Sequence, residues 1–300
     1  MAARVTQERT LGAILGLAIG DALGMPVTGM SPAEIERDFG PIDRYFGRTF
    51  PDGAELAPGE FTDETEIALC IMETYTSANG DLDPDLIRAR MQFLARDESR
   101  RWMSPETLRA LDDDAEPPYC SDDPDDPEVA LRGVPIGVIH AAPVIDEAAL
   151  VRDIETVVGL THCNRPSRER AVLVATAVAR VLAGTSTQAT LMADLGISDV
   201  LTSQPAHEAD AVVASALSAF VAAERFEDAV ATAAQQGGAA DARAALAGVL
   251  AGAHFGAGGI PQNLIDQLEG RIYLTLAAPW FYRTVQLMSG RGISIGRNGH

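Results

Sequence analysis

Glycine recurs at every fourth position near the start of the chain, at Gly12, Gly16, Gly20 and Gly24. That spacing restricts the fold more than any other feature. Residues four apart share one face of a helix, so these glycines form a stripe bare of side chains against which another backbone can lie. Each glycine costs about 1 kcal/mol of helix propensity relative to alanine, so the series needs a reason in packing or ligand access. Gly248, Gly252 and Gly256 repeat the spacing in an Ala-rich stretch late in the chain. Two such stripes can pack together and join distant parts of the sequence.

The remaining pattern is helical as well. Helices are predicted over 6–24, 62–77, 84–96, 104–111, 146–160, 167–183, 207–223, 225–235 and 239–255, with another stretch in 263–290 that carries Trp280, Phe281 and Tyr282. No period-two strand pattern persists, and only 5% of residues are aromatic, which favours close helix packing over a sheet. The expected fold is all-α, and 300 residues suffice for one large domain or two small ones. Two irregular loops are expected, at 25–60 (rich in Pro and Gly) and at 112–128, which holds nine acids and four prolines in seventeen residues. The aromatic trio at 280–282 is expected in the core.

Charge narrows the function classes. The net charge is −20, and every one of the 23 basic residues is arginine. Such a surface repels nucleic acid and anionic lipid, so neither is expected as a partner; cations are tolerated. Cys70, Cys120 and Cys163 are scattered, odd in number and lack a CxxC pair, so no disulfide framework or thiolate zinc site is expected and a cytoplasmic setting fits. The apolar run Leu11–Leu23 reads as too short to span a bilayer.

Two segments carry chemistry-bearing residues. Phe61-Thr62-Asp63-Glu64-Thr65-Glu66 reads as a helix start, with Thr62 as the cap and acids in the first turn. The same three residues, Thr62, Asp63 and Glu64, present consecutive oxygen donors of the kind hard divalent cations take. Gly237-Gly238-Ala239-Ala240-Asp241-Ala242 marks a tight loop followed by a helix with Asp241 in its first turn.

Five segments, in order, are similar to the signatures of the ADP-ribosylglycohydrolase family. Gly16-Leu17-Ala18-Ile19-Gly20-Asp21-Ala22-Leu23-Gly24-Met25-Pro26 resembles the opening G-x-x-x-G-D-A-L-G-x-P. Phe61-Thr62-Asp63-Glu64-Thr65 resembles the W-[ST]-D-D-T metal motif. Arg132-Gly133-Val134-Pro135-Ile136-Gly137 is similar to the end of G-N-G-A-x-M-R-x-x-P-x-G. Thr161-His162, with Pro166 before a helix, resembles the Thr-His segment. Gly237-Gly238 through Gly252-Ala253 resembles G-G-D-T-D-T…A-G…G-A. Together they span most of residues 11–261.

The resemblance implies one compact helical domain over residues 1–300 with a central cleft between helices, and hydrolysis there of an N- or O-glycosidic bond to ADP-ribose at two Mg2+ or Mn2+ ions. Carried over position by position, Thr62, Asp63 and Asp241 are kept as metal ligands, and Glu64 stands in for an aspartate. Ala239 and Ala242 replace an aspartate and a threonine, Thr28 falls near an expected glutamate, and Asp126-Pro127-Glu128 replaces the loop with asparagine between glycines. One Mg2+ or Mn2+ held by Thr62, Asp63, Glu64 and Asp241 is therefore expected, with the second site absent. Asp63 and Glu64 are the candidate catalytic groups; Asp21, Arg132, His162 and Gly238 are the candidate substrate contacts. Arg132 is expected to pair with an acid.

Three functions follow as expectations. One is a divergent pocket protein that binds ADP-ribose or a related nucleotide or glycoside, with two-metal hydrolysis impaired or lost. Another is an active hydrolase of an ADP-ribosyl or related glycosidic bond that uses one ion or none. The last is an interaction module that engages a basic protein through the acidic 112–128 loop.

Overall fold

Two helices in backbone contact form the centre of the molecule. Helix α1 (Gln7–Gly24) begins at Thr6, whose hydroxyl accepts the Arg9 amide at 3.2 Å. It runs antiparallel to α13 (Ala240–Phe255). A Cβ built on Gly12, Gly16, Gly20 or Gly24 would stand 2.3, 2.1, 2.0 or 2.3 Å from the carbonyl oxygen of Gly252, Gly248, Ala244 or Ala240. These approaches are closer than any side chain allows, so the glycines are what lets the two helices touch. The expected pairing of the stripes is thus found, except that Gly256 lies just past α13, with φ +75°. Because the helices are antiparallel, the end of α1 lies at the start of α13, and Asp21 comes to Asp241.

The computed structural model describes residues 5–96, 102–112, 119–197 and 207–290. Between α1 and α13 the chain forms α2 (Pro32–Asp38), a hairpin of β1 (Arg48–Thr49) and β2 (Glu55–Leu56), α3 (Asp63–Ser77), α4 (Pro84–Leu94) and α5 (Pro105–Leu111). It continues through α6 (Glu128–Leu131), α7 (Gly133–Ile139), α8 (Glu147–Val158), α9 (Arg165–Ala183), α10 (Gln188–Asp194), α11 (Glu208–Ala222) and α12 (Phe226–Ala234). After α13 come α14 (Gln262–Gln267) and α15 (Arg271–Gly290). The architecture is all-α, as expected, with only the two-residue strands of the hairpin among the described residues.

Several expectations need correction. The 25–60 stretch is not one irregular loop: Ser31 and Glu34 form a capping box that starts α2, and the hairpin follows. Helices α6, α7 and α10 arise where no helix was expected. Gly133 and Gly137 let α7 lie on α9, since a Cβ there would meet the Ala171 and Ala175 carbonyls at 2.2 and 2.5 Å. The segment Gln7–Val27 is long and apolar enough to cross a membrane, contrary to the reading of Leu11–Leu23. However, 94% of its most apolar window is buried in this fold, so it serves as the core helix. Of the aromatic trio, only Phe281 is in the core; Trp280 is 59% exposed on the outer face of α15. Residues 113–118 of the acidic loop lie outside the described residues.

Cys120 and Cys163 are joined in a disulfide, their Cα atoms 5.6 Å apart, which overturns the expectation that no cystine forms. Their separation of 43 residues hid the pair; no spacing rule links cysteines so far apart, and only the fold brings them together.

Candidate functional site

The site forms where the end of α1 meets the starts of α3 and α13. Asp21 is fully buried and accepts three hydrogen bonds from α3. Its Oδ2 takes the Thr62 amide at 2.9 Å and the Thr65 hydroxyl at 2.6 Å, and its Oδ1 takes the Thr62 hydroxyl at 2.8 Å. A carboxylate from another helix thus satisfies amide and hydroxyl donors at the start of α3. Thr62 therefore does not cap its own helix, as the local sequence suggests; its hydroxyl turns to Asp21. Thr62 Oγ1 also meets Glu64 Oε2. A hydroxyl has one proton, so both contacts hold only if one of the two carboxyls, Glu64 or Asp21, is protonated and donates.

That protonation fits the surroundings. Burial, then the neighbouring Asp63, Asp241 and Asp21, hold the Glu64 carboxyl well above the usual range. Burial followed by Asp21 and Asp241 does the same for Asp63. Asp21 is pushed up to about 7, chiefly by burial, although its Thr65 and Thr62 bonds oppose the shift. Asp63 is 1% exposed, and neither of its carboxylate oxygens has a hydrogen-bond partner. A buried charge without a partner is costly. Such a group calls for a proton, a cation or a substrate donor.

The start of α13 has different chemistry. Ala239 occupies its cap position and offers no side-chain acceptor. Thr28 supplies one instead: its Oγ1 accepts the Asp241 amide at 3.1 Å and lies 3.4 Å from the Gly24 carbonyl, to which it donates. Asp241 turns back on its own helix, Oδ1 accepting the Ala242 amide at 2.9 Å. Its carboxyl is raised by burial, against those bonds. Gly237 and Gly238, at φ +65° and +59°, form the turn before the helix. Gly238 exchanges backbone hydrogen bonds with the loop after α1, donating to Met30 at 2.9 Å and accepting from Gly29 at 2.8 Å. Arg243 braces the turn, donating to the Gly237 carbonyl and, at 2.7 Å, to Ser215.

Arg132 and His162 approach from the far side. Arg132 is 3% exposed and donates to the Thr161 hydroxyl and, at 2.9 Å, to the Thr107 hydroxyl. Burial holds its guanidinium below the usual value, although Asp126, Glu128 and Asp63 oppose this. Its hydrogen-bond partners are hydroxyls, so the expected acid pair is not the arrangement found. His162 is fully buried, with Nδ1 3.0 Å from Thr161 Oγ1 and Nε2 3.4 Å from Asp126 Oδ2. Burial would raise the Asp126 carboxyl, but His162 and a 2.7 Å bond from Ser104 outweigh it and hold it below the usual range.

Asp63, Glu64, Ile67, Ala68, Glu128, Leu131 and Arg132 enclose a crevice of about 10 Å3, the room one water or ion needs. The sequence reading did not single out Glu128 as a site residue. Glu128 is half-buried and held well above the usual carboxyl range by burial and then Asp63. The motif that places it, Asp126-Pro127-Glu128 before Arg132, gave the only available signal. Thr65 and the capping role of Thr28 were also missed.

Among the described residues, no three His, Cys, Asp or Glu side chains converge as a formed metal cage. Mg2+ commonly keeps several waters and takes only one or two carboxylates. The unpartnered Asp63 carboxylate beside a water-sized space meets that requirement, and the alanines at the α13 start leave nothing equivalent.

The ADP-ribosylglycohydrolase family profile matches residues 2–291. The chain belongs to that family. It is 28% identical over 286 residues to the ADP-ribosyl-(dinitrogen reductase) glycohydrolase of Rhodospirillum rubrum, covering 88% of this chain and 92% of that protein. It is 26% identical over 307 residues to an uncharacterised protein of Archaeoglobus fulgidus, covering 92% and 96%. The Escherichia coli protein YegU is 29% identical over 187 residues, which span 60% of this chain and 55% of YegU. A solved structure described as an ADP-ribosylglycohydrolase-related protein complex superposes with a TM-score of 0.76 at 27% identity, covering 94% of this chain and 98% of that one. Within this ADP-ribosylglycohydrolase frame, Asp21 and Gly238 turn toward protein partners, and Asp63 is the candidate with free donor atoms.

Proposed function

We propose that this family member binds ADP-ribose, or a related nucleotide or glycoside, over the crevice beside Asp63, with two-metal hydrolysis impaired or lost. The observation that carries the reading is the contrast between the unpartnered, buried Asp63 carboxylate and the alanines at 239 and 242. Thr62, Asp63, Glu64 and Asp241 would hold one Mg2+ or Mn2+. When bound, that ion would supply charge neutralisation and polarise a ligand hydroxyl or water. Asp63, Glu64, Glu128 and Asp241 would otherwise repel a diphosphate, and Arg132 already directs its guanidinium to two hydroxyls. The crevice admits an ion but not a nucleoside, so the organic ligand lies across its mouth.

Calorimetry with ADP-ribose, with and without Mg2+, tests this reading. Binding at least tenfold tighter with Mg2+, and loss of that gain in Asp63→Asn, is expected. Rapid metal-dependent release of ADP-ribose from a modified arginine would overturn it.

A second reading, an active hydrolase with one ion or none, is favoured by the raised carboxyls of Asp63 and Glu64, because groups shifted toward neutrality suit general acid–base work. Under that reading Asp63→Asn abolishes turnover of an ADP-ribosyl substrate. Unchanged turnover in that variant rules it out.

A further inference from the structure

The segment that brings Glu128 and Arg132 to the crevice is strapped to the segment that carries Thr161 and His162. Ser121 and His162 form an isolated parallel bridge, with the Ser121 amide donating to the Thr161 carbonyl at 2.8 Å and the Cys163 amide to the Ser121 carbonyl at 2.9 Å. Asn164 donates to the Asp123 carbonyl at 2.8 Å. Asp126, from the same segment, lies 3.4 Å from His162. The Cys120–Cys163 bond fixes the outer end of this contact and closes a 43-residue separation. Both cysteines are half-buried rather than sealed in the core.

We infer that Cys120 and Cys163 form a redox-modifiable strap that locks the Glu128 segment over the candidate crevice. The inference stands on this geometry and does not depend on the ligand proposed above. Oxidation proceeds by exchange with a low-molecular-weight disulfide of the glutathione type. One cysteine thiolate attacks a sulfur of the small disulfide and expels one thiolate, leaving a mixed disulfide. The other cysteine, as thiolate, attacks the protein sulfur and expels the second. The protein loses two thiol protons and two electrons, and the small disulfide becomes two thiols. A dithiol reductant reverses the change.

Cys70 stands apart from this chemistry. It lies on α3 and is free, and burial followed by Glu73 pushes its thiol up to about 12, which leaves almost no thiolate at neutral pH. The two other strong candidates in the molecule carry less. The groove of Glu73, Tyr273 and Trp280 is exposed, but nothing shows what would cover it. In the buried Tyr75–Asp153–His140 cluster, Asp153 already accepts from Tyr75, meets His140 and pairs with Arg152.

The test is thiol counting on the full chain, denatured after incubation with excess glutathione disulfide, beside melting and hydrogen exchange. One free thiol per chain is expected, rising to three after reduction with dithiothreitol. Reduction should lower Tm by about 5 °C or more, the order expected for opening a loop of this length. It should also speed amide exchange in residues 121–132 at least tenfold. Cys120→Ser and Cys163→Ala should each melt like the reduced protein and ignore dithiothreitol, whereas Cys70→Ser should behave like the parent. If either strap variant fails to fold, the reduced parent still supplies the comparison. Three free thiols in the oxidant-treated parent, or melting and exchange unchanged by reduction, would overturn the inference.

Discussion

Two helix starts meet at the end of α1, and they differ in the donors they present. The start of α3 keeps its oxygen donors: Thr62, Asp63, Glu64 and Thr65 are all buried, and Asp21 of α1 organises them. The start of α13 keeps its backbone turn but lacks most donors, with Ala239 and Ala242 beside Asp241. Thr28, just beyond α1, caps α13 much as Asp21 caps α3. One helix end therefore supports both starts, although only one of them presents an unpartnered carboxylate. Backbone contacts and caps hold this scaffold, whatever donor side chains stand at the α13 start.

The largest effect should come from breaking the support that both starts share. Gly20→Ala puts a Cβ 2.0 Å from the Ala244 carbonyl. A backbone cannot give way as a flexible side chain does, so the cost should exceed the roughly 1–3 kcal/mol of ordinary overpacking. Little folded protein is expected in denaturant melts or by circular dichroism. A variant as stable as the parent would show that the seam is loose.

Separating the two starts gives the next effects. Asp21→Ala strands the Thr62 amide and two hydroxyls in the interior, and about 3 kcal/mol of stability should be lost in urea titration. Thr28→Ala removes a single neutral cap and should cost about 1 kcal/mol. Equal losses would contradict the difference drawn between the two helix starts. Ala239→Asp restores an acceptor at the α13 cap, but it adds a carboxylate to a crowded acidic site. A gain in Tm is expected with Mg2+ present and little gain in its absence.

The smallest effect concerns pH and the strap side of the site. The Asp126 carboxyl lies below its usual value in the folded protein, because His162 and Ser104 outweigh burial. A depressed folded value means its stabilisation is present above the ordinary carboxyl value of 3.8 and is lost as pH falls through the folded value. Melting at pH 5 and pH 3 should therefore show a larger acid loss in the parent than in Asp126→Asn. The same loss in both would remove Asp126 from the acid response.

How much of this was legible in the sequence depends on whether the cause was local. The glycine seam was readable because its period matches the helix, and the pairing of the two stripes followed from their equal spacing. Helix α2 could have been read from its Ser31–Glu34 capping box but was masked by the surrounding Pro and Gly. Helix α7 depends on contact between Gly133, Gly137 and the α9 carbonyls, so local propensity alone does not reveal it. In the site, Thr62, Asp63 and Asp241 came from motif resemblance. The turn of Thr62 toward Asp21, the cap from Thr28, the place of Glu128 and the Cys120–Cys163 pairing are long-range contacts. No spacing within a segment reports contacts of that kind.

The central proposal is that the α3 start holds one cation and that the α13 start does not support a second. Counting Mn2+ bound per chain by titration calorimetry on metal-stripped protein tests this most directly, with Asp63→Asn alongside. The account predicts one ion per chain, lost in the variant. Two ions per chain, or one that survives Asp63→Asn, would contradict it.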